Sequence, residues 1–472
     1  MTLSRRKQRL GALAAAALAA ATVSTVALTS AGAQEQTDSD AGVSQAKVDN
    51  PYEGAQVYVN PQWAANAAAE PGGEAIADQA TGVWLDRISA IEGNDSPTTG
   101  TMGLKDHLDE ALAQGADVIQ FVIYNLPGRD CAALASNGEL KADEIDRYKN
   151  EYIDPIVAIQ SDPAYADLRI VNVIEIDSLP NLVTNVSPRA TATPNCDTMK
   201  ANGNYQDGVS YAAAELGALP NTYNYLDAGH HGWIGWTNDD PQYDNFHASA
   251  AMFGSLIGMN GMTADHVHGF ITNTANYSAL EEPHWEVDQN VGGKPLNQNG
   301  DVKWVDWNAY NGELDFATAF RDELVANGFN ESVGMLIDTS RNGWGGADRP
   351  AGPSTSTDPV TFVDESRIDQ RFNKGNWCNQ AGAGLGERPQ AAPAAGIDAY
   401  VWIKPPGESD GASEPIDNDE GKGFDEMCDP AYEGNIRNGN NMSGARGEMP
   451  LSGHWSSEQF AELLANAYPP VS

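Results

Sequence analysis

Basic side chains are scarce in this chain. Its 472 residues hold 27 lysines and arginines against 66 aspartates and glutamates, a formal charge of −39. That balance excludes a nucleic-acid partner, because phosphate recognition rests on clustered Lys and Arg. An acid excess serves solubility, and an uncharged polymer would be indifferent to it. Cysteine is rare too: Cys131, Cys196, Cys378 and Cys428 are all there are. None stands at the short spacing a structural zinc site uses, and no H-x-x-x-H or H-E-x-x-H pattern occurs. Neither a metal nor a cofactor is therefore expected. The His230-His231 pair does not change this, since neighbouring side chains on extended backbone face opposite ways. Also missing are a Ser/Thr/Pro linker and any shift of composition beyond Pro51. A single domain is implied; α/β barrels with loop insertions reach this length.

The only long apolar run lies at the start. Arg5, Arg6, Lys7 and Arg9 precede an alanine-rich stretch from Leu10 to Leu28, followed by Ala31-Gly32-Ala33. Residues 1–33 read as a signal peptide, removed on export, rather than as a membrane anchor. Arg5-Arg6 after Ser4 fits twin-arginine export, but Gln8 stands where that signal wants a hydrophobic residue, so both routes stay open. Residues 34–50 are polar and expected to be a flexible N-terminus, with the folded domain spanning 51–472. A secreted, extracellular chain with an even cysteine count points to two disulfides. Three pairings exist. Cys131–Cys196 and Cys378–Cys428 are preferred because each closes a segment rich in Gly, Asn, Asp and Pro. Each closure is worth about 3–4 kcal/mol in the chain-entropy picture.

Short β-branched runs alternate with amphipathic stretches. Strands are expected at 56–59, 118–124, 169–175, 222–227, 267–272, 333–338 and 399–403. Helices are expected near 104–114, 142–160, 205–216, 246–257, 314–327 and 456–467. Near-continuous apolar strands between helices imply a parallel sheet covered on its outer face. The predicted fold is α/β: a distorted, partly open parallel barrel of about seven strands, with long loops over the carboxyl ends of the strands. Several runs end in polar residues: Tyr124-Asn125, Glu175 with Asp177, Asp227, Asn273, Asp338 and Lys404. Such strand ends are where parallel α/β folds assemble their sites.

Four segments carry a resemblance: VIYNLPGRDCAALASNG at 122–138, VIEIDSLPNLVTN at 173–185, YLDAGHHGWIGW at 225–236 and YVWIKPPGESDG at 400–411. Together they resemble glycoside hydrolase family 6, the cellobiohydrolases and endoglucanases of cellulose breakdown. The Y-x-L-P-x-R-D-C run at 124–131 is the most specific match. The likeness spans from VWLDRI at 83–88 to GHWSSEQF at 453–460. Ile176 departs from the proline common in the family, yet leaves Asp177 in place.

The resemblance implies an inverting cellulase that acts on cellulose and cello-oligosaccharides as a monomer, free of the membrane after signal cleavage. Inversion needs a protonated carboxyl group at the leaving oxygen and help for a water on the opposite face. Asp177 matches the family's general acid, and burial behind an apolar strand would keep it protonated; a helix-capping aspartate is its plain alternative. Asp130 matches the residue that tunes the acid's pKa and contacts the water network, with Arg129 as its counter-charge; a surface Arg-Asp pair would explain the same letters. Asp410 is a candidate base or support for one. Ser136 corresponds to a serine that places the water, where residues alone show a turn. Lys404 and Glu408 match binders of sugar hydroxyls, against a solvated charge cluster. Asp86, His230 and Asn276 match further sugar contacts. Trp84, Trp233, Trp236 and Trp377 match platforms for the apolar faces of sugar rings; among 11 tryptophans several belong to the core. Asp227 and Tyr124 are expected to support the carboxylate network.

Two insertions, 342–376 and 412–452, read as long irregular loops, which are usually functional or disordered. They resemble the loops of bacterial exo-acting members, which enclose a tunnel and release cellobiose from the non-reducing end. An endoglucanase on the same site, or an inactive glucan-binding protein, is the alternative.

Overall fold

The computed structural model describes residues 47–471, apart from 95 and 97–99. The expected signal peptide and most of the expected flexible N-terminus lie outside the described residues. At its end, Val48 N–H donates to the Tyr223 hydroxyl and the Asn50 amide to the Asp398 carbonyl, so residues 48 and 50 are pinned to the sheet.

Eight strands form one curled, open sheet: β1 (Val83–Leu85), β2 (Val118–Ile123), β3 (Arg169–Ile174), β4 (Thr222–Asp227), β5 (Gly269–Thr272), β6 (Gly334–Asp338), β7 (Gln390–Ala394) and β8 (Ile397–Val401). Their order is β1-β2-β3-β4-β5-β6-β8-β7. Every pairing is parallel except β8 with β7. The sheet bends far enough that Gly82 N–H reaches the Trp402 carbonyl at 3.0 Å, just before β1 and just after β8, yet no ladder joins those strands.

Side chains alternate between two apolar layers, as the two-residue period of a strand requires. Val118, Val122, Val171, Val173, Tyr225, Ile271, Leu336 and Val401 fill the inside of the curl. Ile119, Phe121, Ile123, Ile170, Phe270 and Ile337 face out and pack under helices such as Leu104–Gln114, Asn204–Gly217 and Glu313–Ala326. Both faces are covered, which is why these strands read as unbroken apolar runs.

Four expectations need correction. Residues 56–59 form no sheet strand: Val57 makes a single bridge to Val118 before Asn60 caps the helix Pro61–Ala69. The run expected to be one helix at 142–160 contains a π-helical turn, Tyr148–Ile153, ahead of Asp154–Gln160; Pro155 supplies no N–H, so the preceding turn widens. The strand count rises because β1 is only three residues long and β7 is an Ala/Pro edge strand, where a residue without N–H is tolerated. The insertion at 342–376 is not irregular throughout. It carries the helix Pro359–Ser366, whose Phe362 and Val363 pack with Trp285, Leu296 and Val305 in an apolar cluster of their own.

Candidate active site

A cleft of about 590 Å³ lies at the carboxyl ends of the strands. Asp177, Asp130, Asp410, Ser136, Tyr124, Lys404, His230 and Asn276 all line it, together with Trp84, Trp233, Trp236 and Trp377. Trp84 sits in β1 itself and most of the others in segments that follow a strand, so they meet only because the strands are parallel.

Asp177 lies beyond β3. Glu175 and Asp177 both take left-handed backbone, φ 52° and 54°. Glu175 turns inward and accepts hydrogen bonds from the Asn125 and Leu126 N–H groups, each at 3.1 Å, and from the Tyr148 hydroxyl at 2.7 Å. Burial pushes its carboxyl up to about 7. It thereby fixes the chain after β2, using a tyrosine that the π turn aims at it. Asp177 instead faces the cleft and is half-buried. Among the described residues no hydrogen bond reaches its carboxyl group. Burial, and then the negative charges of Asp227, Asp130 and Asp410, hold its pKa well above the ordinary carboxylate range.

Asp130 is buried at the turn after β2, with φ 52°. The hydroxyls of Tyr124 and Ser136 both donate to its Oδ2. Burial raises its pKa, while those donors and the nearby Arg129 pull the other way. Arg129 makes no ion pair with Asp130. Its guanidinium donates to the carbonyls of Asp86, Tyr124 and Ser136 and stacks 4.1 Å from the Tyr124 ring centre. Arg129 thus staples the loop, and it serves Asp130 as a counter-charge through space rather than by direct contact. The disulfide Cys131–Cys196 holds the same loop, and Cys378–Cys428 joins the two insertions' neighbourhoods.

Asp227, at the end of β4, is buried just beneath. Its Oδ1 accepts the N–H groups of Asp177 at 3.1 Å and Gly229 at 3.2 Å, and burial pushes its pKa up to about 6.

Asp410 is saturated with donors. Arg341 Nη1 lies 2.8 and 2.9 Å from its two oxygens, the Tyr277 hydroxyl donates at 2.7 Å, and Asn379 N–H at 2.8 Å. Lys404 Nζ stands 3.9 Å away. Arg341 is fully buried and lies 4.2 Å from the Tyr277 ring centre. Arg341, Tyr277 and Asn379 were missed in the sequence. The run D-T-S-R after β6 was a signal for the arginine, since it extends a strand end that already carries Asp338.

Not every expected contact reaches the cleft. Asp86 and Glu408 lie outside its lining. Burial works to raise the Asp86 carboxyl, but the Arg87 hydrogen bonds and the charges of Arg129 and Lys422 outweigh it and hold it at about 2. Burial pushes Glu408 up to about 7 despite Lys404 and Lys422. Asp86 belongs to a charged cluster with Arg87, Glu420 and Lys422 that ties the insertion at 412–452 to the end of β1, and Glu408 feels the charges of Lys422 and Asp86 through space. His230 faces the cleft, where burial keeps its ring neutral, whereas His231 turns away to Glu313 at 2.6 Å. Among the described residues no group of three or more His, Cys, Asp or Glu could hold a metal ion.

Of the two insertions, only the second roofs the cleft: Met427, Asn435, Ile436, Arg437 and Ser452 line it. Arg437 crosses to the far wall, donating to the Ala132 carbonyl at 3.1 Å and the Thr191 carbonyl at 3.3 Å. Asp425 accepts from Leu134 N–H at 2.7 Å. The first insertion contributes only its end, at Gly375.

The sequence profile of the glycosyl hydrolases family 6 matches residues 44–467. The chain belongs to that family. Exoglucanase A of Cellulomonas fimi is 45% identical over 447 residues, which cover 90% of this family 6 chain and 49% of the relative. The chain thus spans about half the length of that relative. A 1,4-beta-D-glucan cellobiohydrolase, CEL6C of Podospora anserina, is 33% identical over 84% of this chain and 79% of its own. Among solved structures, the catalytic domain of Cellulomonas fimi Cel6B superposes with a TM-score of 0.83 at 45% identity, covering 90% of this chain and 96% of that one. Cellobiohydrolase II (Cel6A) from Humicola insolens, in complex with glucose and cellotetraose, superposes at 0.65 with 30% identity over 89% and 99%. Family 6 enzymes are glycoside hydrolases, and the carboxylate-lined cleft described above is where this one's chemistry is sought.

Proposed function

We propose that this family 6 enzyme is a secreted, inverting exo-cellobiohydrolase whose single catalytic domain, 51–472, removes cellobiose from the non-reducing ends of β-1,4-glucan chains. Asp177 carries the reading. It is a carboxyl group kept protonated by burial and by surrounding negative charge, open to the cleft, and free of competing hydrogen bonds among the described residues. That is what a general acid requires.

In this reading the Asp177 proton passes to the bridging oxygen as the bond from C1 to that oxygen breaks. A water adds to C1 from the opposite face and inverts it. The Ser136 hydroxyl donates to Asp130 and leaves its own lone pairs for that water. The proton shed by the water then moves toward the Asp130–Ser136–Tyr124 cluster. Asp410 has both carboxylate oxygens already engaged by Arg341, Tyr277 and Asn379. It acts as a fixed negative charge that supports the developing positive charge at C1 and raises the pKa of the acid. Trp84, Trp233, Trp236 and Trp377 supply flat apolar surfaces for sugar faces, with Lys404, His230 and Asn276 at the hydroxyl rims.

The exo assignment rests on the roof. Arg437 bonds across the cleft and Asp425 ties the same insertion to Leu134, which favours threading a chain end over clamping onto the middle of a chain. An open-cleft endoglucanase is the second reading.

NMR of cellohexaose digestion tests both parts. The expected first products are cellobiose and a new reducing end in the α form. Asp177→Asn is expected to abolish turnover while cello-oligosaccharides still bind. A β product, or full turnover by that variant, overturns the mechanism; an early ladder of mixed lengths overturns exo action.

A further inference from the structure

Resting on the glucan-hydrolase reading, we propose that Trp307 is an outer platform that stacks on a sugar ring of a β-1,4-glucan chain after that chain passes Trp236 and leaves the enclosed cleft. Trp307 is 54% exposed, the most exposed tryptophan among the described residues. Large aromatic side chains left in water at one spot call for a ligand when the backbone beneath them is built to hold them there.

It is so built. Asp306 and Trp307 take consecutive left-handed conformations, φ 50° and 67°, which are costly for residues with side chains and for tryptophan above all. Every neighbour is tied down. The Val305 carbonyl accepts from the buried Lys374 ammonium at 3.2 Å, and the Asp306 carbonyl from the Trp236 indole N–H at 2.7 Å. The Asn308 amide donates to the His231 carbonyl at 2.8 Å. The indole edge lies against Gly300, where a methyl group would come within 3.3 Å of the ring. An exposed aromatic ring is thus held on a rigid turn with little rotamer freedom left to lose, the condition under which stacking contributes most.

Continuity with the cleft names the occupant. Asp306 lines the cleft, as do Trp233, Trp236 and Tyr243. Tyr243 is 59% exposed and so stands at the rim. Trp307 directly follows Asp306, outside the lining. A chain running past Trp236, whose indole is bonded to that same turn, meets Trp307 next. Sugar rings of a β-1,4-glucan present C–H faces to such a ring.

The ratio of initial rates on insoluble cellulose and on cellotetraose reads this out. Cellotetraose is short enough to be held by the enclosed cleft, whereas a chain still anchored in solid cellulose must cross the rim. Trp307→Ala is expected to lower the ratio, and the affinity of adsorption to insoluble cellulose, by about fivefold or more. Trp307→Phe keeps a flat face and is expected to restore most of both. If Trp307→Ala leaves ratio and adsorption at wild-type values, or if both rates fall together, the platform does not exist. Failure of the wild-type protein to cleave cellotetraose would instead overturn the hydrolase reading, while its adsorption isotherm still reports on Trp307.

Discussion

Replacing Arg437 by alanine is expected to loosen the roof of the cleft and shift this enzyme toward cutting inside chains. Arg437 sits in the short turn Ile436–Asn438 and donates to the carbonyls of Ala132 at 3.1 Å and Thr191 at 3.3 Å. Both acceptors line the cleft on the wall opposite the insertion. The side chain is exposed, so water competes for each bond and the values for buried charged hydrogen bonds do not apply. At the lower end of the usual range, the two bonds together contribute about 1–2 kcal/mol. Losing them multiplies the ratio of open to closed roof by roughly 5–30. Other ties, among them Asp425 to Leu134 N–H, the Glu420 and Lys422 ion pairs with Arg87 and Asp86, and the Cys378–Cys428 disulfide, keep the insertion folded, so activity persists. The assay is viscosity loss of carboxymethyl cellulose plotted against soluble sugar released. Internal cuts lower viscosity per bond far more than end cuts, so the slope should steepen severalfold in the variant. An unchanged slope, with the same product sizes from cellohexaose, would mean that the roof does not enforce end-wise action.

Two further outcomes follow from the buried carboxylates. In Asp227→Asn the amide oxygen can still accept the N–H groups of Asp177 and Gly229, so geometry is kept and only a like charge is removed. Burial continues to raise the Asp177 pKa, but less repulsion remains, so the alkaline limb of kcat/KM is expected to move to lower pH by up to about one unit; a limb that stays put or moves up refutes the coupling. Glu282 accepts from Ile368 N–H, Asp369 N–H and the Trp285 indole, and burial pushes it from 4.5 to about 7. The folded chain therefore binds that proton more tightly than the unfolded chain does. Stability from this group is complete below about 4.5 and lost as pH rises through about 7, of order 3 kcal/mol in all. Thermal melts from pH 5 to 8 should fall less steeply for Glu282→Gln than for wild type, and parallel curves would exclude the effect.

Local patterns sufficed where both faces of a strand are buried. Runs such as VIQFVI and RIVNVI show β2 and β3 directly, because a parallel strand covered on both sides has no polar face to confuse it. They failed where an element depends on its neighbours. The residues of β7, QAAPA, lack strand character and pair only because β8 offers an edge. The helix Pro359–Ser366 was hidden in a stretch read as loop, since its short apolar face makes sense only against Trp285 and Val305.

The same division runs through the site. The motifs at 122–138, 173–185 and 400–411 contain Asp130, Asp177 and Asp410, and family resemblance alone attaches roles to them. Arg129 acts on Asp130 as a charge through space, while its guanidinium hydrogen-bonds to carbonyls that the row of letters does not reveal. The candidate groups of the site were thus present in the one-dimensional chain. Their protonation states were not: the charge on a carboxylate depends on burial and on charges brought near by remote segments. Arg341 reaches Asp410 across 69 positions, Arg437 reaches Ala132 across 305, and only folding makes such distances short.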